Sequence, residues 1–89
     1  MSAIWKYPVP FSHKAQVLMP ADSVVLNVHE QGENIYLWVL VDDQLPETVV
    51  RTFAIYGTGH KLPTGKMEYL GTVHVERSQL VWHVFEVLQ

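Results

Sequence analysis

The stretch that most limits what this chain can become is Glu68 to Leu88, EYLGTVHVERSQLVWHVFEVL. Two runs rich in β-branched and aromatic residues flank the polar break Glu76-Arg77-Ser78-Gln79. That is the grammar of a β-hairpin. With Arg77 and Ser78 as a two-residue turn, Val75 faces Leu80, Val73 faces Trp82 and Gly71 faces Val84. These side chains share one face with Tyr69, and the missing side chain at Gly71 leaves room for a ring such as Trp82. Leu70, Thr72, His74, Val81, His83 and Phe85 take the other face.

The same grammar runs upstream. Ile4 to Val9 predicts a first strand; Pro8 and Pro10 cannot donate to a ladder, so it belongs at an edge or leaves the sheet early. Ala15 to Met19 is a second, shorter strand closed by Pro20-Ala21-Asp22. Ser23 to Glu30 is a third, with Val24, Leu26 and Val28 on one face and Val25, Asn27 and His29 on the other. Gln31 to Asn34 is a turn, and Ile35 to Val41 returns from it. This return strand is apolar on both sides: Ile35, Leu37, Val39 and Val41 against Tyr36, Trp38 and Leu40. Such a strand is central in its sheet, or a partner chain covers one face. Asp42 to Glu47 is a polar connection. Val49 to Tyr56 is the next strand, with Val49, Arg51, Phe53 and Ile55 on one side. Gly57 to Gly65 is the longest loop. Nothing shows helical periodicity with caps, and Pro20 would stop any helical turn begun at Lys14. The expected fold is all-β, a small antiparallel sandwich or partly open barrel of six to seven strands. It occupies residues 1–89 as a single domain.

Composition removes several function classes. The apolar share of 48% supports a packed core in 89 residues. There is no cysteine, which excludes disulfides, thiolate metal sites and cysteine nucleophiles and fits a reducing compartment. A net charge of −3 argues against broad nucleic-acid binding, which needs a basic face to displace counterions. The longest apolar run, Ile35 to Val41, is far short of the ~20 residues of a membrane helix. Lys6, Pro8 and Pro10 break any signal-peptide core. A soluble cytoplasmic protein with no membrane partner is expected.

The candidate binding element is Tyr56-Gly57-Thr58-Gly59-His60-Lys61. Two glycines around a threonine at a strand end free backbone N–H groups for an anion, and Thr58, His60 and Lys61 add donors and charge. Such a loop can hold a phosphate-bearing small molecule or nucleotide. It can equally be a strand exit that needs glycine for its backbone, since no Walker pattern is present and no helix follows. His74 and His83 lie diagonally on one hairpin face and His29 sits beside Tyr36, but no spacing typical of a metal site joins them, so no metal and no cofactor is expected. Asp42 and Asp43 point apart in extended chain, and Ser12, Ser23 and Ser78 lack a nucleophile elbow. No catalytic residue is expected. The aromatics outnumber what so small an interior needs. Tyr36, Trp38, Leu40, His83 and Phe85 are therefore candidates for a protein interface, the first partner being a second copy of the chain.

The segments IWKYPVP, TFAIYGTGHKLP and GTVHVERSQLVWHVFEV resemble a family of small uncharacterised proteins of tailed bacteriophages and prophages. The resemblance covers nearly the whole chain. Its most specific pieces are Tyr56-Gly57-Thr58-Gly59-His60 and Gly71-Thr72 followed by His83-Val84-Phe85-Glu86. It implies no activity, ligand or catalytic residue. It implies a phage accessory protein made in the bacterial host cytoplasm. Such a protein would act by binding, to itself, to a host protein or to a small molecule, or would serve as a minor structural component of the virion.

Overall fold

The structure is a computed structural model that describes residues 1–75 and 79–88. Its strands are β1 (Ser2–Val9), β2 (Ala15–Pro20), β3 (Val24–Gln31), β4 (Asn34–Asp42), β5 (Glu47–Gly57), β6 (Met67–His74) and β7 (Val81–Val87). They form two antiparallel sheets, β1-β4-β3 and β2-β5-β7-β6, with no helix among the described residues. The sheets stack as a small sandwich. The chain changes sheet between β1 and β2, between β2 and β3, and between β4 and β5.

The alternation read from the sequence decides which faces meet. Ile35, Leu37, Val39 and Val41 of β4 are buried against Phe53, Ile55, Val73 and Val84 of the opposite sheet. Tyr36, Trp38 and Leu40 point outward and are half-buried. β4 is thus central, and β1, which carries Pro8, is an edge. A proline costs least there because an edge strand has ladder donors to spare. The β3–β4 hairpin pairs Gln31 with Asn34 around Gly32-Glu33. Gly32 takes φ +62, the value a type II′ turn requires at its first central position.

Strict alternation fails at two places. Val25 pairs with Val39 and Asn27 with Trp38, so Leu26 is an extra residue in β3. Val25 and Val28 therefore face the core while Val24 faces outward, and the expected grouping of Val24 with Val28 does not hold. In β6, Tyr69 pairs with Phe85 and Gly71 with Val84, so Leu70 is the extra residue. The expected pairs Gly71–Val84 and Val73–Trp82 are present. The bulge, however, turns Leu70 onto the core and moves Tyr69 to the outer face beside Phe85. A one-residue slip reverses every side chain beyond it. The space at Gly71 also serves a different neighbour from the one expected. A Cβ there would lie 3.6 Å from Val28 Cβ across the sandwich. The Arg77-Ser78 turn lies outside the described residues.

One titratable group is tied to this packing. Tyr7 on β1 donates its hydroxyl to Glu47 Oε1 at 2.7 Å. Burial of the phenol, followed by the bond to Glu47 and its charge, raises the Tyr7 pKa above its ordinary value of 10.0. The neutral phenol is the form the fold favours. Its contribution is complete below the unfolded value and is lost as pH climbs through 10 toward the folded value. Alkaline unfolding followed by circular dichroism should therefore show stability falling above about pH 10, with a shallower fall in Tyr7→Phe. An identical slope in that variant would refute the assignment.

Candidate functional site

The residues singled out in the sequence lie on the two outer faces of the sandwich. The segment 58–66 leaves the end of β5 and passes over the outer face of the four-stranded sheet to reach β6 on the far side of β7. Both ends are tied: Thr58 N–H donates to the Val81 carbonyl at 3.2 Å and Leu88 N–H to the Lys66 carbonyl at 2.8 Å. Ala54 and Tyr56, on an outward sheet face, are 0% and 5% exposed; Tyr56 lies beside strap residues and under the His13 ring.

Tyr56, Gly57, Thr58, Gly59, His60 and Leu62 meet His83 and Phe85 around a cavity of about 170 Å³. Most of the expected ligand loop and two of the five expected interface residues therefore lie at one site. Lys61 is exposed and does not line this cavity. Tyr36, Trp38 and Leu40 lie on the outer face of the other sheet, so the five candidate interface residues do not form a single surface.

The loop amides are largely committed. Gly57 N–H donates to His60 Nδ1 at 3.0 Å. His60 N–H returns to the Gly57 carbonyl at 3.0 Å, and the Thr58 N–H is held by Val81. Gly57 suits this closure, because a Cβ there would sit 3.0 Å from His60 Cε1 and 3.3 Å from Trp82 Cζ3, so those rings would have to give way. The accepting role of Nδ1 leaves Nε2 to carry the proton in the neutral ring. The glycines thus serve close packing of a histidine turn more than an open cradle of N–H groups.

Beside the cavity runs a side-chain chain that the hairpin register builds. His83 Nε2 lies 2.8 Å from Thr58 Oγ1 and His83 Nδ1 lies 3.0 Å from Thr72 Oγ1. The Tyr69 hydroxyl in turn bonds Thr72 Oγ1. A neutral imidazole donates at one nitrogen and accepts at the other, so one threonine donates to His83 and the other accepts from it. The chain pins the start of the strap to β7 and β6. The β6 bulge is what brings Tyr69 into it.

Sequence reasoning missed His13 and Phe11. Ser12 anchors the β1–β2 crossover: its carbonyl accepts from Ile55 N–H at 2.8 Å and its hydroxyl from Lys14 N–H at 2.9 Å. His13 then stacks on Tyr56, with ring centres 4.3 Å apart, and Phe11 meets Trp82 edge-on at 5.1 Å. Together with Ile55 and His60 these residues line a second cavity of about 320 Å³ at the end of the sandwich. No local pattern in PFSHK announces this, because both ring contacts are made to residues more than forty positions away.

The outer face of the three-stranded sheet is different in kind. Ile4, Leu40 and Val24 form one cross-strand row. Ile4 and Val24 are 62% and 51% exposed. The next row is Lys6, Trp38 and Asn27. Lys6 Nζ sits 4.6 Å above the Tyr36 ring centre and 5.7 Å from that of Trp38, a cation–π cover over the aromatic part of the face. Among the described residues there is no group of three His, Cys, Asp or Glu that could hold a metal ion. Nor is any helix long and apolar enough to cross a membrane.

No curated protein and no solved structure matches this chain. The sequence model of one family, described as a domain of unknown function (DUF7352), matches residues 1–89, and the chain belongs to that family.

Proposed function

We propose that the chain acts by non-covalent binding, not catalysis, and that its first partner is a second copy seated on the outer face of the β1-β4-β3 sheet. The observation that carries this is the row Ile4–Leu40–Val24. An outward sheet face is normally polar, yet here the central strand presents Tyr36, Trp38 and Leu40 in succession between Asn34 and Asp42. Contiguous apolar surface of this sort marks an interaction site, and Trp and Tyr are favoured anchors.

The face is also self-complementary. A two-fold axis lying along the Ile4–Leu40–Val24 row places the Asp42 end of one copy against the Lys6–Trp38 end of the other. Apolar rows then meet in the centre, and at each rim Asp42, which also holds the Met1 amino group at 3.2 Å, comes to face the Lys6 end of the other copy. A phage setting for such a binder rests on the resemblance of IWKYPVP, TFAIYGTGHKLP and GTVHVERSQLVWHVFEV to small phage proteins.

Light scattering of the wild-type chain should give a dimer or a larger closed assembly. Ile4→Lys, at an exposed edge position, should give a folded monomer with an unchanged circular dichroism spectrum. A wild-type chain that stays strictly monomeric as its concentration rises overturns the reading.

A further inference from the structure

We propose that a groove on the opposite outer face, between the strap and β2, binds a planar aromatic anion of mononucleotide size. The groove measures about 550 Å³, within the range of roughly 300–1,000 Å³ typical of small-molecule sites. Its apolar surfaces come from Tyr56, Met67 and Val87, and its polar rim includes His13, Lys14 and Thr64. Among the described residues no acidic side chain lines it, although the chain carries nine acidic against six basic residues.

Lys14 is in no ion pair among the described residues. Its position is set: the Lys14 N–H is bonded to Ser12 Oγ, and the neighbouring His13 ring is stacked on Tyr56. His13 and Lys14, adjacent in the chain, thus both line an apolar trough, and Thr64 lines it from the strap. A cation beside an apolar trough takes a ligand with a charge at one end and a ring at the other. The Gly57, Thr58 and His60 amides are already bonded, to His60 Nδ1 and to the carbonyls of Val81 and Gly57, so the anion is assigned to the Lys14 side of the groove and not to the glycines. The groove lies on the face away from Ile4 and Leu40, so the inference stands independently of self-association.

The test is an amide-resolved NMR titration with AMP, UMP and phenyl phosphate, set against adenosine and inorganic phosphate. Saturable shifts are expected at Thr52, Tyr56 and Val87 for at least one ring-bearing phosphate. Adenosine and inorganic phosphate should each bind about tenfold more weakly. Lys14→Gln should weaken binding by about tenfold, and Lys61→Gln, outside the groove, should leave it unchanged. Absence of saturable shifts with all three ring-bearing phosphates overturns the proposal. So do equal losses in the two lysine variants, which would mean diffuse charge, and inorganic phosphate binding as well as AMP, which would mean that the ring is not read.

Discussion

Glu86→Ala is expected to destabilise the fold by about 3–5 kcal/mol, lowering the melting temperature by more than about 10 °C. Glu86 lies on the inner side of β7, where a carboxylate has little access to water. Arg51 Nε donates to Oε2 and Arg51 Nη2 to Oε1, each at 2.7 Å. Arg51 Nη1 also donates to the carbonyl of Ser23, which directly precedes β3 of the other sheet, so this guanidinium ties the two sheets together. The bond to Glu86 raises the Arg51 pKa further. The two side chains are 21% and 9% exposed, unlike the solvent-screened pairs that contribute about 0–1 kcal/mol. Removing the carboxylate leaves a half-buried cation with one partner fewer. Glu86→Gln, which keeps one acceptor, should lose less. Replacing both residues together, Arg51→Met with Glu86→Leu, should recover much of the loss. Urea unfolding of the three variants decides the matter; a loss below 1 kcal/mol in Glu86→Ala would show that water screens the pair.

Phe53→Ala is the second large effect, about 3–5 kcal/mol by urea or thermal unfolding. Phe53 is the largest of the fully buried side chains and is 0% exposed. It stands on β5 between Ala15 of β2 and Glu86 of β7 and faces the apolar row of β4 across the sandwich. Its removal leaves a cavity that two hydrogen-bonded sheets cannot close without breaking register, so both the transfer and the void contribute. The contrasting substitution is Leu18→Ala on β2. Leu18 is 52% exposed, and its loss should stay within about 0.5 kcal/mol. Equal losses at the two positions would place the core elsewhere than between these sheets.

Much of this architecture was legible one residue at a time. The Ile35–Val41 pattern allowed a central strand or a partner-covered face and Pro8 an edge or an early exit, of which β4 is central and β1 an edge; the pairs Gly71–Val84 and Val73–Trp82 followed from counting outward from one turn. The two bulges were not legible. In VVLNV either phase of the alternation places a valine inside, and the structure takes the phase with Leu26 extra, which sets Val28 over Gly71. In EYLGT both Tyr69 and Leu70 are acceptable core residues by type, and the extra residue at Leu70 sends the tyrosine outward to Thr72 and Phe85. The site was legible in part. Tyr56 to His60 do converge with His83 and Phe85, but the grouping of those two with Tyr36, Trp38 and Leu40 failed, because sequence marks a strand as amphipathic without saying which sheet its outer face belongs to.

The sequence by itself determined the strands, the hairpins and the stripe of side chains that fills the core. Those depend on alternation and turn chemistry, which act over a few neighbouring residues. The tertiary structure alone decided which outward rings are covered and by what. The strap over Tyr56, the His13 stack and the Arg51–Glu86 tie all join residues far apart in the chain. Their geometry depends on sheet order and on single inserted residues that reverse every face beyond them.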